Sequence, residues 1–189
     1  MATEGDPPPN LVKVFHLLVL SFSWGMQVWV SFIAGFALVR QVTRHTFGWV
    51  QSKLFPVYFC CLLGSHFVSL AVYAAYHLRE LPDTHETARM ALYFVALMMA
   101  GLNAQRFGPA ATEIMFLMRE VEKEHGLGNR VGLGAEKEGY AKLQEQDPKY
   151  RAYKRKFGRY HGLSNLCNLI GVICTTTNLI YTALNLSTI

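Results

Sequence analysis

The sequence predicts an all-α protein: a four-helix transmembrane bundle with a cytoplasmic helical hairpin between spans three and four. Three observations carry this reading. First, four stretches (14–39, 54–78, 90–105 and 160–189) contain no Asp, Glu, Lys or Arg. Each approaches or exceeds the ~20 residues that an apolar helix needs to cross a bilayer core. Second, twelve of the 18 Lys and Arg residues fall between the third and fourth stretches. Third, the polar residues of the last stretch recur at helical spacing. The length of 189 residues suits a single domain. The spans are expected near 11–38, 55–78, 87–106 and 161–186, with a helical insert over 109–159.

Span one begins near Leu11 and places Trp24 and Trp29 at mid-depth, which marks them as packing residues rather than an interfacial belt. It is too long for a cleavable leader, and the acidic, proline-rich residues before it lack the positive start of one. Arg40 to Lys53 reads as a short loop, and Pro56 suits the first turn of span two. Leu81-Pro82-Asp83-Thr84 is a turn signal. Thr84, with Glu86 or Thr87, is placed to cap span three. Gly108-Pro109 is expected to kink or end that helix. Ala110, Ile114, Leu117 and Val121 then recur at four, three and four, an amphipathic pattern. Arg119, Glu120, Glu122, Lys123 and Glu124 are expected on its polar side. The glycines from 126 to 134 mark a flexible link, and a second insert helix is expected from near Glu138. Asp147-Pro148 suits a helix start. Tyr150, Tyr153, Phe157 and Tyr160 carry the three-four spacing onward into span four.

Charge orients the bundle. Loops one and three share a side and together hold fifteen Lys and Arg, against three elsewhere. Positive loops stay cytoplasmic, so both termini are expected to be extracellular or lumenal, in the plasma membrane or an endomembrane. The same flanking positions explain the +5 net charge without nucleic acid.

The richest pattern lies in span four. His161, Ser164, Asn168, Gly171, Thr175, Asn178, Thr182 and Asn185 alternate at three and four residues, forming a stripe ~36 Å long at ~1.5 Å per residue. Such groups cannot face lipid, because no water satisfies them there. The stripe therefore looks inward, where His16, Ser23, Gln27 and Ser31 of span one answer it. Span three offers Ala96, Ala100 and Asn103. Span two offers Cys60, Gly64, Ala71 and Ala74 as a small-residue packing face. The seam is either interhelical glue or a polar conduit. Near the inner interface, His161, Arg106, Asn103, Asn165 and Asn168 converge as the candidate ligand site, suited to an anionic headgroup or small anion.

His66 lies at the centre of span two and is the weak metal candidate, since soft or borderline donors at one depth can hold an ion such as Cu(I). The four cysteines, Cys60, Cys61, Cys167 and Cys174, all lie inside spans, which argues against a disulfide framework and for small buried hydrophobes. No Asp or Glu lies within a charge-free span, so a carboxylate proton relay has no support. No nucleophile elbow, dinucleotide-binding glycine motif, phosphate-binding loop or zinc-protease motif is present, and no enzymatic activity is expected.

Several stretches resemble the vertebrate transmembrane protein 205 family: His16-Leu-Leu-Val-Leu-Ser-Phe-Ser-Trp-Gly-Met-Gln, Arg44-His-Thr-Phe-Gly, Gln51-Ser-Lys-Leu-Phe-Pro, Val121-Glu-Lys-Glu, Asp147-Pro-Lys-Tyr and Arg159-Tyr-His-Gly-Leu-Ser-Asn-Leu-Cys-Asn-Leu. The likeness runs over nearly the whole chain. It implies a four-span membrane protein of no established molecular activity, associated with cellular tolerance of platinum drugs through export or vesicular trafficking. A looser likeness, in His16 and Trp24-Gly25, is to copper-resistance D-type membrane proteins; no cofactor is expected otherwise, and this likeness leaves copper or haem as alternatives. The partners expected are therefore the lipid bilayer, a small-molecule or lipid ligand and a protein bound by the hairpin, without nucleic acid. A homo-oligomer is compatible with the sequence.

The orientation is directly testable. Tags at the two termini should be shielded from the cytosol, reached by antibody at the cell surface or inside a lumen, while a tag in the insert should be cytosolic. A cytosolic N-terminal tag reverses the assignment.

Overall fold

A computed structural model describes residues 9–77, 84–132 and 134–185. Its elements are α1 (Asn10–Val28), a π-helical segment (Trp29–Ala34), α2 (Gly35–Gln41), α3 (Arg44–His77), α4 (Thr84–Leu102), a second π-helical segment (Asn103–Phe107), α5 (Gly108–Glu124), α6 (Lys137–Gln146) and α7 (Pro148–Leu184). Among the described residues there is no strand, only an isolated bridge between Thr43 and Val131. Four helical stretches are long and apolar enough to cross a membrane: Asn10–Gln41, Arg44–Tyr76, Thr84–Glu124 and Pro148–Leu184. The third and fourth, of 41 and 37 residues, exceed what a ~30 Å hydrocarbon core requires at ~1.5 Å per residue. The surplus of both emerges at one end and packs together as the insert.

Helix α7 is the spine, packed against α1, α4 and α5. Its inward face buries Ser164, Cys167, Gly171, Cys174, Thr175, Asn178 and Thr182, so the polar seam does look into the bundle. The facing line of α1 is His16, Leu20, Ser23 and Gln27, all buried. Outward stand Phe22, Trp29, Phe36, Phe67, Phe94, Leu166, Ile173 and Ile180. That is the inversion expected when the surroundings are lipid and the interior must satisfy its own polar groups.

Several elements differ from the sequence expectation. Trp24 and Trp29 face outward, and Trp24 reaches Thr176 with its indole N–H (3.0 Å). Span two begins at Arg44, so Pro56 lies inside its helix rather than in a first turn. Residues 44–53 are helical because they dock on α5, where Gly48 sits so close to Met115 that a Cβ would come within 2.8 Å of its sulfur. Hydropathy alone registers only the apolar part that starts at Leu54. The small residues of span two point the wrong way for packing. Cys60, Gly64 and Ala71 are exposed, and Tyr58, Leu62, His66, Ser69 and Tyr73 fill the interface instead. Cys60 and Cys61 are thus outward, and only Cys167 and Cys174 are buried. Gly108-Pro109 does not break the helix. The π segment absorbs the proline: Gly108 N–H bonds back to Asn103 O, a five-residue step, and such a bulge frees backbone groups that a proline would otherwise strand. The turn at Leu81 to Asp83 lies outside the described residues.

The insert has its own apolar core of Ile114, Met118, Val121, Leu143 and Tyr150, flanked by Leu127, Tyr140, Tyr153, Phe157 and Tyr160. Asp147 caps α7 by accepting from Lys149 N (2.7 Å) and Tyr150 N (3.0 Å). Glu122, expected on the polar side of α5, is 2% exposed. It is buried because partners converge on it: Arg44 Nη2 at 3.2 Å, His45 Nε2 at 3.0 Å and the donated hydroxyl of Tyr150 at 2.7 Å. The Arg44 guanidinium also covers the Tyr140 ring at 4.5 Å. Burial, and then the Glu122 charge, push the Tyr140 phenol up to about 12, so it stays a neutral packing group. Gly128, at φ +91°, closes the far wall against His45, and a Cβ there would strike the imidazole.

Glu122→Gln should lower the stability of the protein in detergent by about 1–3 kcal/mol, since buried donors lose a charged acceptor. Gly128→Ala should also destabilise, through both backbone strain and the clash. Thermal unfolding checks both. Wild-type melting in each variant would show that the Glu122 knot is not a structural lock.

Candidate functional site

Two apolar layers divide the bundle. At one level Tyr58, Phe59, Leu62 and Ala100 pack with Met26 and Val30. At another Leu20, Tyr73 and Tyr93 pack with Leu70, Met90 and Leu179. Chain register leaves a polar layer between them, contributed by Ser23 and Gln27 of α1, His66 and Ser69 of α3, Ala96 of α4, and Gly171, Cys174, Thr175 and Asn178 of α7. All of these are buried. Gly171 leaves room for the Gln27 amide, since a Cβ there would come within 3.3 Å of Nε2 and the amide would have to shift by a few tenths of an ångström.

Part of this layer satisfies itself. Ser23 Oγ donates to Leu20 O (3.0 Å) and Thr175 Oγ1 to Gly171 O (2.8 Å). The rest does not. Gln27 Oε1, His66 Nε2, Ser69 Oγ and both amide atoms of Asn178 are buried without a hydrogen-bond partner. A buried amide left unpaired costs about 1–3 kcal/mol, so atoms of this kind call for a polar occupant, water or solute. The amide of Asn178 offers both donors and acceptor capacity, while the Gln27 oxygen accepts.

The residues expected to converge near one interface are divided by the structure. Asn103 is buried, and its Nδ2 donates to Ser164 O at 3.1 Å. Asn168 is half-buried and joins three helices, accepting from Tyr58 OH (2.7 Å) and donating to Ser31 Oγ (2.6 Å). His161 and Asn165 pair with each other at 3.2 Å on the exposed face of α7, where His161 stacks on Phe157. Arg106 is exposed. Of the seam residues, His16, Gln27, Ser164, Thr175 and Asn178 are all buried, and His16 lies against Tyr93 with ring centroids 5.7 Å apart. His66 is 1% exposed, and among the described residues no three His, Cys, Asp or Glu side chains gather as a metal set.

Sequence reasoning missed two inward polar residues, Ser69 and Arg89. Arg89, counted as loop charge, is buried at the end of the seam and donates to Thr182 Oγ1 at 3.0 Å. The three-four spacing of Arg89, Tyr93, Ala96, Ala100 and Asn103, all buried, was the available signal.

Four apolar helices around an inward polar seam define a multi-pass helical membrane protein. The comparisons place it further. A zebrafish (Danio rerio) protein named transmembrane protein 205 is 70% identical over 189 residues, covering 100% of both chains, and this chain belongs to that family. Residues 18–120 match a domain of unknown function, DUF4149. No solved structure matches.

Replacing Asn168 by Leu strands the Tyr58 hydroxyl and Ser31 inside the bundle and should cost about 1–3 kcal/mol. Leu169→Val, on the outward face beside it, should cost less. Equal losses of melting temperature in detergent would refute the inward assignment of the seam.

Proposed function

We propose that this protein handles a small polar molecule inside the membrane, as part of the export or vesicular trafficking by which cells tolerate platinum drugs. The supporting observation is the middle layer, where Gln27, His66, Ser69 and Asn178 hold open hydrogen-bonding positions between two apolar layers. Interhelical glue consumes its donors and acceptors, as Asn168 does. This layer keeps several in reserve. The layer carries no Asp, Glu, Lys or Arg, so its fitting occupant is neutral and both donates and accepts hydrogen bonds. The drug-tolerance role comes from the family resemblance, and the lumenal or extracellular termini from the distribution of charge.

A second reading, a metal-binding membrane protein, draws on buried His66 and the buried thiol of Cys174 in the same layer. Imidazole and sulfur suit soft or borderline ions. Metal analysis and a visible absorption spectrum of the purified protein separate the two, because a bound copper or haem would register there and a neutral solute would not.

The principal test is cellular. Wild-type protein should lower platinum accumulation and raise survival in drug relative to an empty vector. Asn178→Leu and His66→Leu, at matched abundance and with melting confirmed, should abolish most of that protection, while Leu169→Val retains it. Folded seam variants that protect like wild type would reduce the layer to packing. No difference between wild type and empty vector would end the drug-tolerance reading.

A further inference from the structure

Arg89 immediately precedes the charge-free stretch that begins at Met90. It is 7% exposed. Its guanidinium carbon lies 4.8 Å above the Tyr73 ring and 4.1 Å above the Tyr181 ring, and Nη2 donates to Thr182. Its Nε is buried and has no hydrogen-bond partner. Among the described residues no carboxylate lies within ion-pair distance of it, Glu86 one turn earlier included.

An arginine stays protonated in any protein environment. Taken out of water it needs a counter-charge, and the partners it has here are weak substitutes for one. The tyrosine faces attract it through their quadrupoles. The carbonyls ending α7 add the negative end of a helix dipole, roughly half a charge. Neither engages the Nε edge. The other buried charge of this protein is treated differently, since Glu122 gathers Arg44, His45 and Tyr150. A guanidinium edge is a planar fork that matches an oxyanion with two parallel hydrogen bonds, and here its Nε corner is unpaired while Nη2 keeps a second N–H beside the one given to Thr182. The amide groups that open α4 at Thr84 lie little more than one turn away and favour the same sign of charge.

We propose that Arg89 forms a phosphate-oxyanion site at this end of the bundle. Tyr73 and Tyr181 flank the guanidinium, and Thr182 sets its rotation. Arg89 directly precedes the charge-free stretch that begins at Met90, so the phosphate belongs either to a phospholipid headgroup or to a free phosphate. The site is distinct from the middle layer, and its test does not depend on drug handling.

The full-length protein, purified in a phosphate-free maltoside detergent, is melted with three additions. These are phosphatidylcholine containing phosphatidic acid, a galactolipid of matched acyl chains, and inorganic phosphate against chloride at equal ionic strength. Wild type should melt higher with the phospholipid than with the galactolipid. A matching rise with inorganic phosphate assigns the site to free phosphate, and a rise with phospholipid alone assigns it to a headgroup. Arg89→Gln should lose the rise. Arg89→Lys keeps the charge without the fork, and Tyr181→Leu removes only an exposed flanking ring. Both should show a smaller rise than wild type, and these two decide the matter if Arg89→Gln does not fold. An unchanged rise in Arg89→Lys and Tyr181→Leu, a full rise in folded Arg89→Gln, or no rise in wild type overturns the proposal.

Discussion

Hydrocarbon offers no hydrogen bonds, and from that the arrangement of this protein follows. A helix that carries Ser164, Asn168, Thr175, Asn178 and Thr182 along one face cannot present that face to lipid. It must be surrounded, so α7 becomes the spine and the other spans turn their own polar lines toward it. Asn168 shows the bargain at its tightest: one amide joins Ser31 of the first span and Tyr58 of the second. The large apolar side chains are released to the outside, where Phe22, Trp29, Phe67 and Ile173 stand exposed. What would be an inside-out protein in water is the ordinary solution here.

The two ends of the bundle handle charge in opposite ways. At the insert end, Glu122 in the body of α5 is met by groups from two other places in the chain: Arg44 and His45 at the start of α3, and Tyr150 at the start of α7. That knot ties the long extensions of spans three and four to span two. It also explains why residues 44–53 are helical rather than a loop, because Arg44 and His45 must be presented from a rigid element. At the other end Arg89 has rings and a hydroxyl but no carboxylate among the described residues. One charge is locked into the fold, and the other is left available.

Much of this architecture was legible in the sequence, for reasons that separate what was seen from what was not. The span count follows from the absence of charge, and the inward face of α7 from a strict three-four repeat of polar residues. Both signals are local. The direction of span two was not legible, since Gly64 and Ala71 look like packing positions and only the tertiary structure shows the tyrosines taking that role. Glu122 and Arg89 were misplaced for a related reason. Charge is a good guide to exposure until partners from distant segments compensate it, and Arg44 lies 78 residues before Glu122. Of the candidate site, the seam residues were found and their satisfaction was not. Only the tertiary structure distinguishes Asn168, whose amide bonds at both its oxygen and its nitrogen, from Asn178, which has the same residue type and the same stripe but no partner.

The family comparison sharpens this point. The matched domain covers residues 18–120, which includes most of α1, all of α3 and α4 and much of α5, and ends before α7. Within that region the inward faces already carry Ser23, Gln27, His66, Ser69 and Asn103. Three such helices alone would leave a polar groove open to lipid, which the hydrocarbon forbids. Whatever closes the groove must be polar on the side it presents, and α7 meets that need with one hydroxyl, amide or glycine per turn. The closure satisfies Asn103 in part through Ser164 O and Arg89 in part through Thr182, while Asn103 Oδ1, Gln27 Oε1 and Ser69 Oγ keep open positions. Completing the fold and completing every hydrogen bond are therefore separate achievements in this protein. Among the described residues that gap shows in the middle layer and again at Arg89 Nε, Tyr93 OH and Asn103 Oδ1.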